Sequence, residues 1–239
     1  DLGPVKITGG TAEGIVVDGE KKSVQGVHVD YTSNVSIEGL KINNVRTGIA
    51  NYGIISKIDG VDIKNVNTGI VNQSAIGTIS NSTIDANYTG IVLAPYSRSA
   101  SPDAATIDVL KDTDVHVADG CAVELDEGSV IGEIDGGTYS TDLSSSTEAV
   151  ILNSGEIGSI KDGTFTSKDN YYTICNYFGG KIGEISGGVF GSDYASSIIC
   201  NKGVDSSIGS ISGGTFTSPL TSYIICNDSG EIDEISGGE

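Results

Sequence analysis

Apolar residues along this chain come in short alternating runs, such as Leu40 with Ile42 and Val61 with Ile63, and no eleven-residue window carries a helical stripe. The period is that of a strand. Larger repeats organise these runs. Isoleucine pairs recur at Ile131/Ile134, Ile157/Ile160, Ile182/Ile185, Ile208/Ile211 and Ile232/Ile235, at a nearly constant interval of about 25 residues. A glycine turn and an aromatic residue (Tyr139, Phe165, Phe190, Phe216) follow each of the first four pairs. In the first half, Thr47, Gly48 and Ile49 return as Thr68, Gly69 and Ile70 and as Thr89, Gly90 and Ile91, with a shorter interval of about 21 residues. Such units are too short for propeller blades and lack a leucine-rich frame. They predict an all-β, single-stranded parallel β-helix (a β-solenoid) with one coil per repeat, about ten coils in all. One continuous domain is expected over 1–239: coils of about 21 residues in 1–97, an insertion or irregular coil at 98–118, and coils of about 25 residues in 119–239. The fifth isoleucine unit stops at Glu239, as in a fragment of a longer array.

In a solenoid, equivalent residues of successive repeats stack one strand spacing apart, so repeat columns become ladders. Gly137, Gly163, Gly188 and Gly214 form a column suited to corners with positive φ. Tyr139, Phe165, Phe190 and Phe216 are expected inside as stacked rings. Asn153, Asn176, Asn201 and Asn227, joined by Asn51 and Asn72, are expected to pass amide hydrogen bonds from coil to coil. Glu133, Ser159, Glu184, Ser210 and Glu234 alternate carboxylate with hydroxyl, which relieves repulsion in an outward column.

The strand before the asparagines poses two alternatives. If it is straight, one of its two apolar parities faces outward as a stripe along 150–152, 173–175, 198–200 and 224–226, the kind of patch that marks a partner surface. If it bends around a corner, consecutive residues point inward. Aromatic residues at Tyr171, Tyr172, Tyr177, Phe178 and Tyr223 are the candidate binding residues. Cys175, Cys200 and Cys226 share a column. Coil spacing permits a disulfide by Cα distance, but parallel side chains hold their Cβ atoms apart, which favours thiols as small apolar fillers. The register of Cys121 is open.

Charge narrows the partners. With 32 acidic against 13 basic residues the net charge is -19, which repels nucleic acids and anionic membrane surfaces. No apolar run approaches a bilayer span. Between residues 97 and 117 the repeat is interrupted, and Arg98, Asp103, Asp108, Lys111, Asp112, Asp114 and His116 gather there. Asp112 and Asp114 are candidate oxygen ligands for calcium; otherwise no cofactor is expected. An extra-long corner explains the same residues.

The segments 35–49 and 55–70 resemble the repeat of right-handed parallel β-helix proteins of the pectate-lyase-like superfamily. The units around 185–190 and 211–216 are similar to Gly-Gly-Thr-Phe repeats in cell-surface proteins of Gram-positive bacteria. The resemblance implies a secreted or cell-wall-attached bacterial module acting as stalk, adhesin or glycan-contacting domain, its partner a host or bacterial surface glycan or protein. Many pectate-lyase-like proteins are carbohydrate-active enzymes, yet His28 and His116 each precede valine, no Asp-Asp pair exists, and no catalytic residue is assigned. A polysaccharide lyase or glycoside hydrolase using the 98–118 segment is the second reading. An ice-binding face built on Thr138, Thr164 and Thr215 is the third. As a fragment the chain is expected to be monomeric, its acidic last coil repelling a second copy.

Overall fold

A computed structural model describes residues 5–14, 16–17, 20–21, 25–95, 104–142, 149–168 and 171–239. The described residues contain strands and turns and no helix. Each coil contributes one strand to each of three parallel ladders. The first ladder runs from Val5–Thr8 through Asn34–Glu38, Ile54–Asp59, Ala75–Ser80 and Thr106–Lys111 to Glu231–Ile235. The second begins with Thr11–Glu13 and Lys41–Asn43 and ends at Thr215–Thr217. The third begins with Gln25–Val29 and Thr47–Asn51 and ends at Thr221–Asp228. Among the described strands, only Val16–Val17 and Glu20–Lys21 pair antiparallel. The chain is thus a parallel β-solenoid. From first to last complete coil it makes about eight turn-to-turn steps, slightly fewer than ten coils imply, because the last coil is represented in the first ladder alone.

Register within the ladders follows the repeats. Ile131, Ile157, Ile182, Ile208 and Ile232 stack in one column, and Ile134, Ile160, Ile185, Ile211 and Ile235 in another. Between them the alternating Glu133, Ser159, Glu184, Ser210 and Glu234 are paired residue for residue. Lys161 bridges to Glu133, and the Ser212 hydroxyl donates to Glu184 over 2.8 Å.

The segment expected as an irregular coil is regular in its second half. Thr106–Lys111 and Asp114–Val117 continue the first and second ladders in register. The extra length therefore falls before Thr106; Arg98 and Asp103 lie outside the described residues. Asp112 occupies the corner between these strands with φ 43°, in the column of Gly39, Gly60 and Asn81, which also have positive φ. Short polar side chains tolerate that conformation. The Asp114 carboxylate accepts from the Thr138 backbone N–H at 2.9 Å. Each aspartate thus has a local structural role.

One interior column runs through the whole second ladder: Ile42, Ile63, Ile84, Val115, Tyr139, Phe165, Phe190 and Phe216. From Tyr139 onward the rings stack with centroids 4.9 to 5.1 Å apart and planes within 12°. Facing it is the column Gly48, Gly69, Gly90, Ala122, Val150, Thr173 and Ile198. A Cβ at Gly48, Gly69 or Gly90 would lie 2.2 to 2.7 Å from a methyl of Ile63, Ile84 or Val115. The shorter coils of the first half are too narrow for two large columns. The longer coils that follow admit aromatic rings on one side and the β-branched Val150, Thr173 and Ile198 on the other.

Gly188 turns the corner before Phe190 with φ 101°, and a Cβ there would meet the Gly163 carbonyl at 3.1 Å and the Phe190 ring at 3.2 Å. Gly188→Val should therefore lower stability by about 1 to 3 kcal/mol. Ser212→Val, on the exposed approach to the next corner, should lower it far less. Urea denaturation of both variants measures the difference, and equal losses would contradict this corner geometry.

Candidate functional site

The asparagine column lies at the end of the third ladder, where the chain turns back into the first. Each amide donates to the next across the coil spacing: Asn51 to Asn72 at 2.8 Å, Asn153 to Asn176 and Asn176 to Asn201 at 2.7 Å, and Asn201 to Asn227 at 2.8 Å. The Nδ2 groups of these residues also reach backbone carbonyls beyond the turn, at Ala75, Thr106, Lys181, Ser207 and Glu231. Oδ1 atoms of Asn51, Asn72 and Asn153 accept from the N–H of Gly53, Ser74 and Gly155. Leu93 and Leu125 interrupt the column. There Ser129 compensates, its hydroxyl donating to the Leu93 carbonyl at 2.9 Å.

Where it stands, asparagine therefore anchors both ends of the turn and leaves the residues between free to vary. After Asn153 the turn is short, only Ser154 and Gly155 preceding the next strand. After Asn176 it holds Tyr177, Phe178, Gly179 and Gly180; after Asn201 it runs from Lys202 through Val204 and Asp205 to Ser206. Asn176 holds the Gly180 carbonyl at 2.8 Å, and the Ser206 hydroxyl bonds both the Lys202 carbonyl and the Gly179 N–H. The two longer turns are thus tied to each other.

On this frame Phe178 is 71% exposed and Val204 73% exposed. With Gly179 they line an open groove whose other residues are Glu127, Ser154 and Asp205. Phe178 has φ 46° and Asp205 φ 67°. For a bulky residue that backbone region is strained, at a cost on the order of 1 kcal/mol or more, and such strain concentrates at functional sites. The Tyr177 and Phe178 rings lie 3.9 Å apart, tilted by 48°, with the Lys202 ammonium 5.9 Å from the Tyr177 centroid. The groove thus has an apolar floor with carboxylates beside it, and the Lys202 ammonium lies over the neighbouring Tyr177 ring.

The aromatic candidates divide into two groups. Tyr177 and Phe178 stand at this corner. Tyr171 and Tyr172 meet edge to face at 4.9 Å at the opposite end of the same strand, and Tyr223 stacks two coils from Tyr172 with Ser197 between. The groove also draws in Val204, Glu127 and Asp205, which the aromatic pattern alone does not mark. Aligning the asparagines with the following isoleucine pairs exposes the unequal turn lengths that place them.

The strand itself bends. Val150 and Ile151, Thr173 and Ile174, and Ile198 and Ile199 are all consecutive and all buried. Among the described residues the remaining apolar column of this strand is buried or half-buried, so it does not form a long exposed stripe. What remains on the outer side is the column Leu152, Cys175, Cys200 and Cys226. None of the four cysteines is in a disulfide, and Cys121 stands in a different column, opposite Thr89. The neighbouring Cys175 draws the Cys200 thiol below its ordinary range, helped by Tyr172, Cys226 and Lys202 against burial, while Cys200 and burial push the Cys175 thiol up.

Among the described residues no group of three or more His, Cys, Asp or Glu side chains is arranged to hold a metal ion, and no helix is long and apolar enough to cross a membrane. Fold and corner together define a parallel β-solenoid bearing an aromatic-apolar groove on one edge. No protein-family model, curated protein or solved structure matches the chain.

Asn176 tests the anchoring role. Asn176→Leu places in the column a side chain that the fold accepts at Leu93 and Leu125, but it removes the donor to Gly180 and Ser207 and breaks the amide chain. Loss of about 2 to 3 kcal/mol is expected in urea denaturation, the cost of buried carbonyls left without a partner. A loss below about 0.5 kcal/mol, the range of neutral surface changes, would show that the amide column does not hold the turns.

Proposed function

We propose that this chain is a non-catalytic module of a secreted or cell-wall-attached protein, and that its groove at Phe178 and Val204 contacts a neutral surface glycan. The observation that carries the reading is Phe178, an exposed apolar ring held at φ 46°. Burial does not explain it and backbone preference opposes it. Ring faces stack on the C–H faces of sugars, and flanking Glu127, Ser154 and Asp205 supply hydrogen-bond partners for hydroxyls, the mix of apolar floor and few polar groups that small-ligand sites use. A net charge of -19 disfavours uronate-rich or sulfated polymers. The similarity of the repeats to pectate-lyase-like β-helices and to Gram-positive surface repeats supports the same placement outside the cell. So does the stacked design, which extends as a rod.

Binding to immobilised neutral polysaccharides, measured with the whole chain, tests the proposal. Phe178→Ala and Val204→Ala should each weaken retention at least tenfold, while Tyr31→Ala, an exposed tyrosine near the N-terminal end, should leave it unchanged. Phe178→Gly should also lose binding yet unfold at the same or a higher temperature, because it releases strain of about 1 kcal/mol. Full binding by Phe178→Ala would overturn the proposal. A stability loss in Phe178→Gly would show that the ring serves the fold instead.

A further inference from the structure

We propose that Cys175, Cys200 and Cys226 form a site for a soft monovalent metal ion, silver(I) or copper(I), held in linear two-coordinate fashion between thiolates of successive coils. The inference is independent of the glycan reading. Register places the three residues directly over one another on three consecutive strands of the third ladder. Side chains in one column of a parallel stack project alike, so equivalent sulfur atoms repeat at roughly the strand spacing of about 4.8 Å. A disulfide asks for a sulfur–sulfur distance of about 2.05 Å and Cβ atoms about 3.8 Å apart, and the stack must be pinched to reach it. With the zinc–thiolate length of about 2.3 Å as a guide, two metal–sulfur bonds laid end to end span about 4.6 Å, nearly one coil. An ion between two thiolates therefore fits without moving the backbone.

The ligand set selects the ion. Thiolates prefer soft cations, and with no arrangement of three or more His, Cys, Asp or Glu ligands among the described residues, a tetrahedral zinc site lacks its donors. Packing gives no reason for sulfur here. Earlier coils fill the same column with His28, Ala50, Val71, Val92, Glu124 and Leu152, most of them apolar and none of them sulfur. Cys175 and Cys200 are 4% and 1% exposed, which shields a bound ion from water, while Cys226 is half-buried and offers the entry. Tyr172 lies beside Cys200.

The test is titration of the reduced chain, freed of reductant, with silver(I) in the presence of glutathione as a competing monothiol. The wild type should retain silver against an equimolar amount of competitor and unfold at a higher temperature once loaded. Cys200→Ser should lose the retained ion, with at least a tenfold fall in affinity, because Cys175 and Cys226 are then two coil spacings apart. Cys175→Ser and Cys226→Ser each leave one adjacent pair and should retain one ion, and Cys121→Ser should behave as wild type. Circular dichroism of each variant checks that the coils are intact. Silver lost wholly to glutathione, retention by Cys200→Ser equal to wild type, or equal weakening in all four variants would overturn the proposal.

Discussion

Parallel strands in this molecule pair residue for residue, so every side chain rests on its own equivalent one coil away. That constraint governs which residues the columns accept. Isoleucine on isoleucine and ring on ring gain contact area with every coil. Asparagine succeeds for a different reason: its amide carries donor and acceptor on one group, so a stack of identical residues is self-complementary. Carboxylates have no such complement. Their column alternates with serine, and Lys161 neutralises Glu133.

Coil length and interior volume vary together. In the shorter coils an isoleucine column faces Gly48, Gly69 and Gly90, none of which has room for a Cβ. In the longer coils the same two columns hold aromatic rings and β-branched valine, threonine or isoleucine. A single core continues through both regions because each enlargement on one wall is matched by a longer perimeter. The packing density of a protein interior requires that match.

Freedom remains at the corners and on outer columns, and both proposals concern those places. The amides fix where the turns after Asn153, Asn176 and Asn201 leave and rejoin the ladders, so the residues between can lengthen and carry an exposed phenylalanine without disturbing the core. The outer column of the third ladder lies outside the central isoleucine and aromatic columns, and there three thiols take the place of the mostly apolar side chains of earlier coils. A rigid scaffold beneath both places makes their spacing predictable from coil to coil.

The repeats make the ladders legible from the residues alone, because stacking forces period and identity to agree: the isoleucine pairs, the rings at Tyr139, Phe165, Phe190 and Phe216, and the asparagines all lie in the register their spacing implies. Residues outside the repeat are less legible. The regular strands at 106–117 look irregular in the sequence because more residues precede them than separate the corresponding strands of neighbouring coils. The bend that buries Val150 beside Ile151 leaves no mark on the apolar pattern, since two inward residues in succession look the same as one inward and one exposed. Phe178 and Val204 lie a whole coil apart in the chain and meet because consecutive turns are stacked, while Tyr171 and Phe178, close in sequence, stand at opposite ends of one strand. Periodicity specifies what stacks on what; the path of each turn, and hence which side chains share a surface, depends on coil geometry that the period does not encode.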